Sequence, residues 1–184
     1  MIDATVNGVS FKSIGLGLKR HDIPVLPPTK DYSLEIAERD GELDFGSTYA
    51  ARTINLECVI MADDTTLDYH RRVAQVAALF NAKKGDTVFT FADLPGRRYI
   101  GRYAGTLDIE KILFDGELTI PIKMGERPFP ESDENIIEVT ITQSPQTVSV
   151  ISTGDKRASP IIVLTNIGSN TIRNFTIRNE YQVD

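Results

Sequence analysis

ERDGELDFGSTYAARTINLECVI, residues 38–60, sets a turn in front of a strand. Asp40-Gly41 is a turn dipeptide, because glycine takes a positive φ at no steric cost and an aspartate side chain bonds to nearby backbone. Past it, Ile54, Leu56, Cys58 and Ile60 fall on one side of an extended chain, and Thr53, Asn55, Glu57 and Val59 on the other. A period of two with one apolar side predicts a half-buried strand. Upstream, DYSLEIAE alternates in the same way, with Tyr32, Leu34 and Ile36 to one side. Two readings compete for the stretch: the rim of an active site, or a turn in a part that works by assembly.

Most of the chain on either side is also extended. MIDATVNGVSF offers a short strand, an Asn7-Gly8 turn and a return. GLGLKR puts Leu16 and Leu18 on one face. HDIPVLPPTK carries Pro24, Pro27 and Pro28 and cannot be a central strand, since proline lacks the amide hydrogen that a ladder needs. It reads as an excursion from the sheet, an arm.

One helix is predicted in DDTTLDYHRRVAQVAALFNAKKG, where Tyr69, Val73, Val76, Ala77 and Phe80 form an apolar stripe. Thr65 is placed to cap it with Asp68 as the capping-box acid, and Lys83, Lys84 and Gly85 are placed to end it. Strands resume in TVFTFA, RRYIGRYAGTLDIEKILF and ELTIPIKM. The long middle run is divided near Gly101 or Gly105, and Asp115-Gly116 marks a hairpin. The predicted fold is a mostly antiparallel sheet structure with one packed helix.

At MGERPFPESDEN the pattern gives way to charge and proline. We divide the chain there, into residues 1–130 and 131–184. NIIEVTITQSPQTVSVIS and SPIIVLTNIGSNTIRNFTIRNEY then read as the opening strands of a second β domain.

The 184 residues suit one ordinary domain, or one and a piece of another. A hydrophobic share of 41% with 25% charged is that of a globular chain. With 26 acidic against 20 basic residues, the net charge of -6 argues against a nucleic-acid-binding surface as the main feature. The single cysteine, Cys58, excludes an intrachain disulfide and a cysteine-rich zinc site. No apolar run approaches the roughly 18 residues of a membrane span, and MIDATVNGVS does not read as a signal peptide.

Candidate chemistry is sparse. His21 and His70 lack metal-ligand spacing and read as ordinary polar residues. Asp63 and Asp64 precede a helix, and Asp40 and Asp115 precede turn glycines. Glu57 with Asp108 is a conceivable glycosidase pair, but their spacing favours solvated strand faces. GLGLKR lacks the rest of a dinucleotide fingerprint. Arg97, Arg98 and Arg102 with Tyr99 and Tyr103 could stack on single-stranded nucleic acid, against the plainer reading of cross-strand aromatics and outward arginines. Asn174-Phe175-Thr176 is formally a glycosylation sequon. No catalytic, cofactor-binding or metal-ligating set emerges, so no enzyme and no cofactor are expected.

YSLEIAERDGELDFGSTYAARTINLECVI resembles the most characteristic segment of the distal tail proteins of long-tailed (siphovirus-type) bacteriophages. The residues that carry the likeness are Arg39, Asp40 and Gly41 in the turn, then Tyr49, Arg52 and Ile54. Glu38 stands where the family more commonly has glycine. NGVSF, the helix with Arg71, Val73 and Phe80, and LPGRRYIGRYAG follow in the family's order, so the likeness spans roughly residues 1–130. SPIIVLTNIGSNTIRNFTIRN, with Pro160, Asn166 and Gly168, resembles the start of the family's galectin-like C-terminal domain.

The resemblance implies a mainly β fold: an antiparallel sandwich or split-barrel-like N-terminal domain with one packed helix, then the beginning of a galectin-like domain. It implies a structural hub, a ring usually of six copies at the distal end of the tail. The ring would join the tail tube protein to tail-tip or baseplate proteins, and receptor-binding proteins are a possible further partner. DNA would pass through without sequence-specific binding. The site implied is the virion tail, reached after assembly in the host bacterial cytoplasm, with no membrane insertion. Acidic residues lining the opening would keep phosphates from sticking. The competing readings are a carbohydrate-binding β module, a cell-wall hydrolase with a carboxylate pair, and another tail component such as a tube protein.

Overall fold

The computed structural model describes every residue except 62–65, 113–114, 153, 155, 157 and 181–184. It divides into two compact units, Met1–Ile136 and Ile137–Asp184.

The first unit is mainly β-sheet with one packed helix. Strands β1 (Ala4–Val6) and β2 (Val9–Ser10) form a hairpin whose turn places Asn7 at φ 48° and Gly8 at φ 80°. Both central residues take positive φ there, as that two-residue turn requires. A 3₁₀ turn, Phe11–Ile14, leads into β3 (Leu16–Asp22). After β4 (Thr29–Glu35) and β5 (Glu42–Tyr49) comes β6 (Arg52–Ile60). Helix α1 (Thr66–Leu79) follows, then β7 (Thr87–Phe91), β8 (Arg98–Tyr103), β9 (Ile109–Ile112) and β10 (Asp115–Met124).

The main sheet runs β2-β1-β7-β8-β10-β6-β3, with β9 also on β10. Every pairing is antiparallel. β6 carries the predicted alternation: Ile54, Leu56, Cys58 and Ile60 are buried, and it pairs with β10 from Gly116↔Ile60 to Met124↔Arg52. The other edge of β10 is shared, its start pairing with β9 and its end with β8. Pro121 falls between these two pairings, next to the β8 register and opposite Ala104; its carbonyl accepts from Ala104 N–H at 3.0 Å, and the proline's missing N–H leaves that pair with this single bond. Ile2 bridges to Leu18, which ties the chain's start to the far edge strand β3.

The core lies on the inner faces of these strands and is closed at one end by α1. Phe80 meets the edge of Phe11 at 5.9 Å and stacks near Phe89 at 6.2 Å. Tyr69 and Val76 of the predicted stripe are buried and Val73 partly so, but Ala77 is exposed. The helix also ends earlier than expected. It stops at Leu79, and Lys83 and Lys84 sit in a 3₁₀ turn capped by the Asn81 side chain. Asparagine competes for backbone amides, which breaks the helix before the glycine can. Thr65, Asp63 and Asp64 lie outside the described residues, and Asp68 pairs with Arg72 at 2.7 Å.

Two turns also differ from expectation. Asp115 and Gly116 are the first residues of β10, paired with Ile112 and Lys111, so the β9–β10 connection is 113–114, outside the described residues. Of the two candidate bends, Gly105 (φ 147°) lies in the bend just past β8, whereas Gly101 lies within that strand, so close to β10 that a Cβ would stand 2.8 Å from the Lys123 carbonyl.

In the second unit no described residue is buried or lies in a strand. The β runs expected there form no strand among the described residues; the chain bends at Ser144-Pro145 and after Asn166, whose side chain accepts from Gly168 N–H at 3.0 Å.

Candidate functional site

The residues considered for chemistry do not converge. His21 Nε2 lies 2.7 Å from Asp93 Oδ2, with its ring 4.9 Å from Phe91. His70 is exposed on α1 beside Tyr69. Glu57 is held by Arg20 at 2.9 Å on the outer face of the sheet, and Asp108 is an exposed residue before β9. Tyr99, one of the two candidate stacking rings, is buried against Phe91 at 5.5 Å, and Tyr103 donates to the Gly105 carbonyl. Arg98 is tied to the segment after β10 by paired backbone bonds with Glu131. The Cys58 thiol is buried, which pushes its pKa up to about 12, so it is not a nucleophile at neutral pH. No group of three His, Cys, Asp or Glu able to hold a metal occurs among the described residues. A recess of about 290 Å³ opens beside Arg97, Arg98 and Asp133, at the lower edge of the roughly 300–1,000 Å³ of small-molecule sites.

What the first unit does present is an arm. Among the described residues β4 and β5 pair only with each other, from Glu35↔Glu42 to Thr29↔Tyr49. The expected turn spans residues 36–41, with Glu38 at φ 64° and Gly41 at φ 79°. A bulge opposite Tyr32 uses Gly46 at φ 88°, whose N–H bonds to Asp44 Oδ1 at 2.7 Å. The proline-rich segment is therefore the root of the arm, and the hairpin beyond it is the arm.

Its two faces differ. Tyr32, Leu34, Leu43 and Phe45 share one, where Leu34 is 52% and Phe45 67% exposed. Asp31, Glu35, Glu42 and Asp44 share the other, with Glu35 directly opposite Glu42. Residues 29–49 hold six acids against Lys30 and Arg39, a net of −4 out of the chain's −6. A two-stranded ribbon is marginal alone in water, and like charges face to face weaken it further.

Residues 9–124 match the family model described as the phage tail protein RIFT-related domain. The chain belongs to that family.

The distal tail protein of Bacillus phage SPP1 is 31% identical to this phage tail protein over 77 residues, 39% of this chain and 30% of that one. The chain thus aligns with under a third of that relative's length. The crystal structure of SPP1 Dit, described as a paradigm of hub adsorption apparatus in Gram-positive infecting phages, matches with a TM-score of 0.63 at 19% identity. That match covers 72% of this tail protein and 52% of the SPP1 chain, and it shows a shared fold.

Two features of the arm escaped the sequence. The alternation in 32–36 predicts a strand with a covered side, yet that side is open. Arg52, flagged only by resemblance, is buried at the root of the arm; a charged residue in the inward row of a strand was the available signal.

Proposed function

We propose that this tail protein is a structural hub at the distal end of a phage tail, closing into a ring of copies, with six the implied number. The observation that carries the reading is the exposed two-faced arm. A free hairpin with an apolar face needs cover, and burying residues such as Leu34, Leu43 and Phe45 contributes roughly 1.5–3 kcal/mol each. A copy of the same chain supplies that cover repeatedly only through two different complementary surfaces, which is the condition for a closed ring. The arm's acidic face then turns to the opening, where it keeps DNA phosphates from adhering during passage.

In this reading the first unit is the ring-forming domain, a sandwich closed toward a split barrel by the Ile2–Leu18 bridge. The second unit is the beginning of a galectin-like domain. The ring joins the tail tube above to tip or baseplate proteins below, and receptor-binding proteins dock beyond it. The family and the SPP1 fold match support the reading.

Native mass spectrometry of the full chain across concentration, with negative-stain images, tests it. A discrete ring is expected. A variant with a short glycine turn in place of residues 29–49 remains monomeric and folded, because Ala50 N–H already bonds to the Pro28 carbonyl at 2.7 Å across the root. An open stacked polymer would indicate a tube protein, and an arm-deleted variant that still closes would reject the arm.

A further inference from the structure

Arg52 opens β6 with its side chain in the inward row, and only 3% of it is exposed. Nη2 donates to the carbonyl of Pro24, ahead of the arm, and Nη1 to that of Pro128, after β10, at 3.4 Å. Among the described residues Nε is buried with no partner, and no carboxylate pairs with the guanidinium. Around it, Ala50 N–H meets the Pro28 carbonyl, and the Tyr49 ring meets the edge of Phe129 at 5.0 Å.

A cation held by carbonyls alone is a poor way to fill a core. Desolvation penalises it and no opposite charge offsets the cost, so an apolar side chain of similar length is at least as stable there. What the guanidinium does that methionine cannot is span two acceptors with a planar fork. Those acceptors lie in the segment leading into the arm and in the segment leaving β10.

We propose that Arg52 is a positioning residue: its fork fixes the direction in which the β4–β5 arm leaves the body, and so whether the arm reaches the next copy. The second clause rests on the ring reading; the first stands without it.

The test uses the full chain with spin labels on Glu42→Cys in the arm and Thr119→Cys on the exposed side of β10. Cys58, buried and with a raised pKa, does not take a label. The distance is read on dilute monomer. Wild-type Arg52 gives one narrow distance. Arg52→Met unfolds at the same temperature or higher but spreads the distance into a broad distribution, and its rings fall about tenfold at equal concentration, the effect of ~1.4 kcal/mol. Arg52→Lys, which reaches one carbonyl, is intermediate.

A narrow wild-type distance in Arg52→Met would overturn the proposal. So would an Arg52→Met chain without folded circular dichroism, which would make Arg52 a core stabiliser. If unlabelled protein forms no ring at any concentration, the ring reading fails, while the label distances still decide the role of Arg52.

Discussion

Gly15 and Cys58 show how single positions constrain the body on which the arm stands. Gly15 has φ 68°, its carbonyl accepts from Met61 N–H at 2.9 Å, and a Cβ there would run into the Arg72 guanidinium. That guanidinium is itself engaged, with Asp68 and with the Met61 carbonyl. Gly15→Ala therefore combines a strained φ with displacement of a paired group and will destabilise by ~2–3 kcal/mol. Gly8→Ala has a similar φ but nothing within 4 Å, and will cost only about 1 kcal/mol in urea unfolding. Equal losses would show that the Arg72 contact is unimportant. Cys58 makes a prediction in pH. Burial raises its pKa from 9.0 to about 12, so between those values the folded state keeps a proton that the unfolded state has lost. Its contribution is intact below pH 9 and falls as pH rises toward 12. Cys58→Val will reduce the loss of urea resistance between pH 7 and pH 10; an unchanged loss would assign it to other groups.

Among the elements, the hairpin separates folding from assembly most sharply. Leu34 and Phe45 contribute little to the isolated fold because they are exposed, so Leu34→Ser with Phe45→Ser will leave the melting free energy within ~0.5 kcal/mol per site. If the chain closes into the proposed ring, the same pair will abolish that ring in native mass spectrometry. A variant that melts far lower would mean that the arm folds back onto its own body. Glu38 is a second handle on the arm: it holds φ 64°, which costs a residue with a Cβ ~1–2 kcal/mol, so Glu38→Gly will increase amide protection at the tip in hydrogen exchange. These elements also mark where reading from sequence succeeds. β6 was legible because local alternation and tertiary burial agree along its length. β4 has the same alternation, but a pattern states only that a side needs cover, not which molecule provides it. The early end of α1 was missed because the side chain of Asn81 outweighs a glycine four residues later.

At the scale of the whole molecule, what stayed hidden is non-local. The strand order, the Ile2–Leu18 bridge and the meeting of Pro24, Arg52 and Pro128 join residues far apart in sequence, and no local period encodes them. The same distribution predicts how the chain comes apart. Among the described residues, those buried in the core all lie in the first unit, within residues 4–124, and the Arg98–Glu131 bonds hold the chain to that unit past its last strand. In residues 137–180 no described residue is buried; Ile161 is 88% exposed, Val163 80% and Ile167 81%. Such a segment has no burial of its own to offset the entropy of ordering its backbone, about 1–2 kcal/mol per residue. Residues 1–136 expressed alone will therefore show the same cooperative melt as the full chain and keep its oligomeric state. Residues 137–184 alone will give the amide dispersion of an unfolded chain by NMR. A truncated body that melts early, or a tail that folds by itself, would place part of the stabilising core outside the first unit.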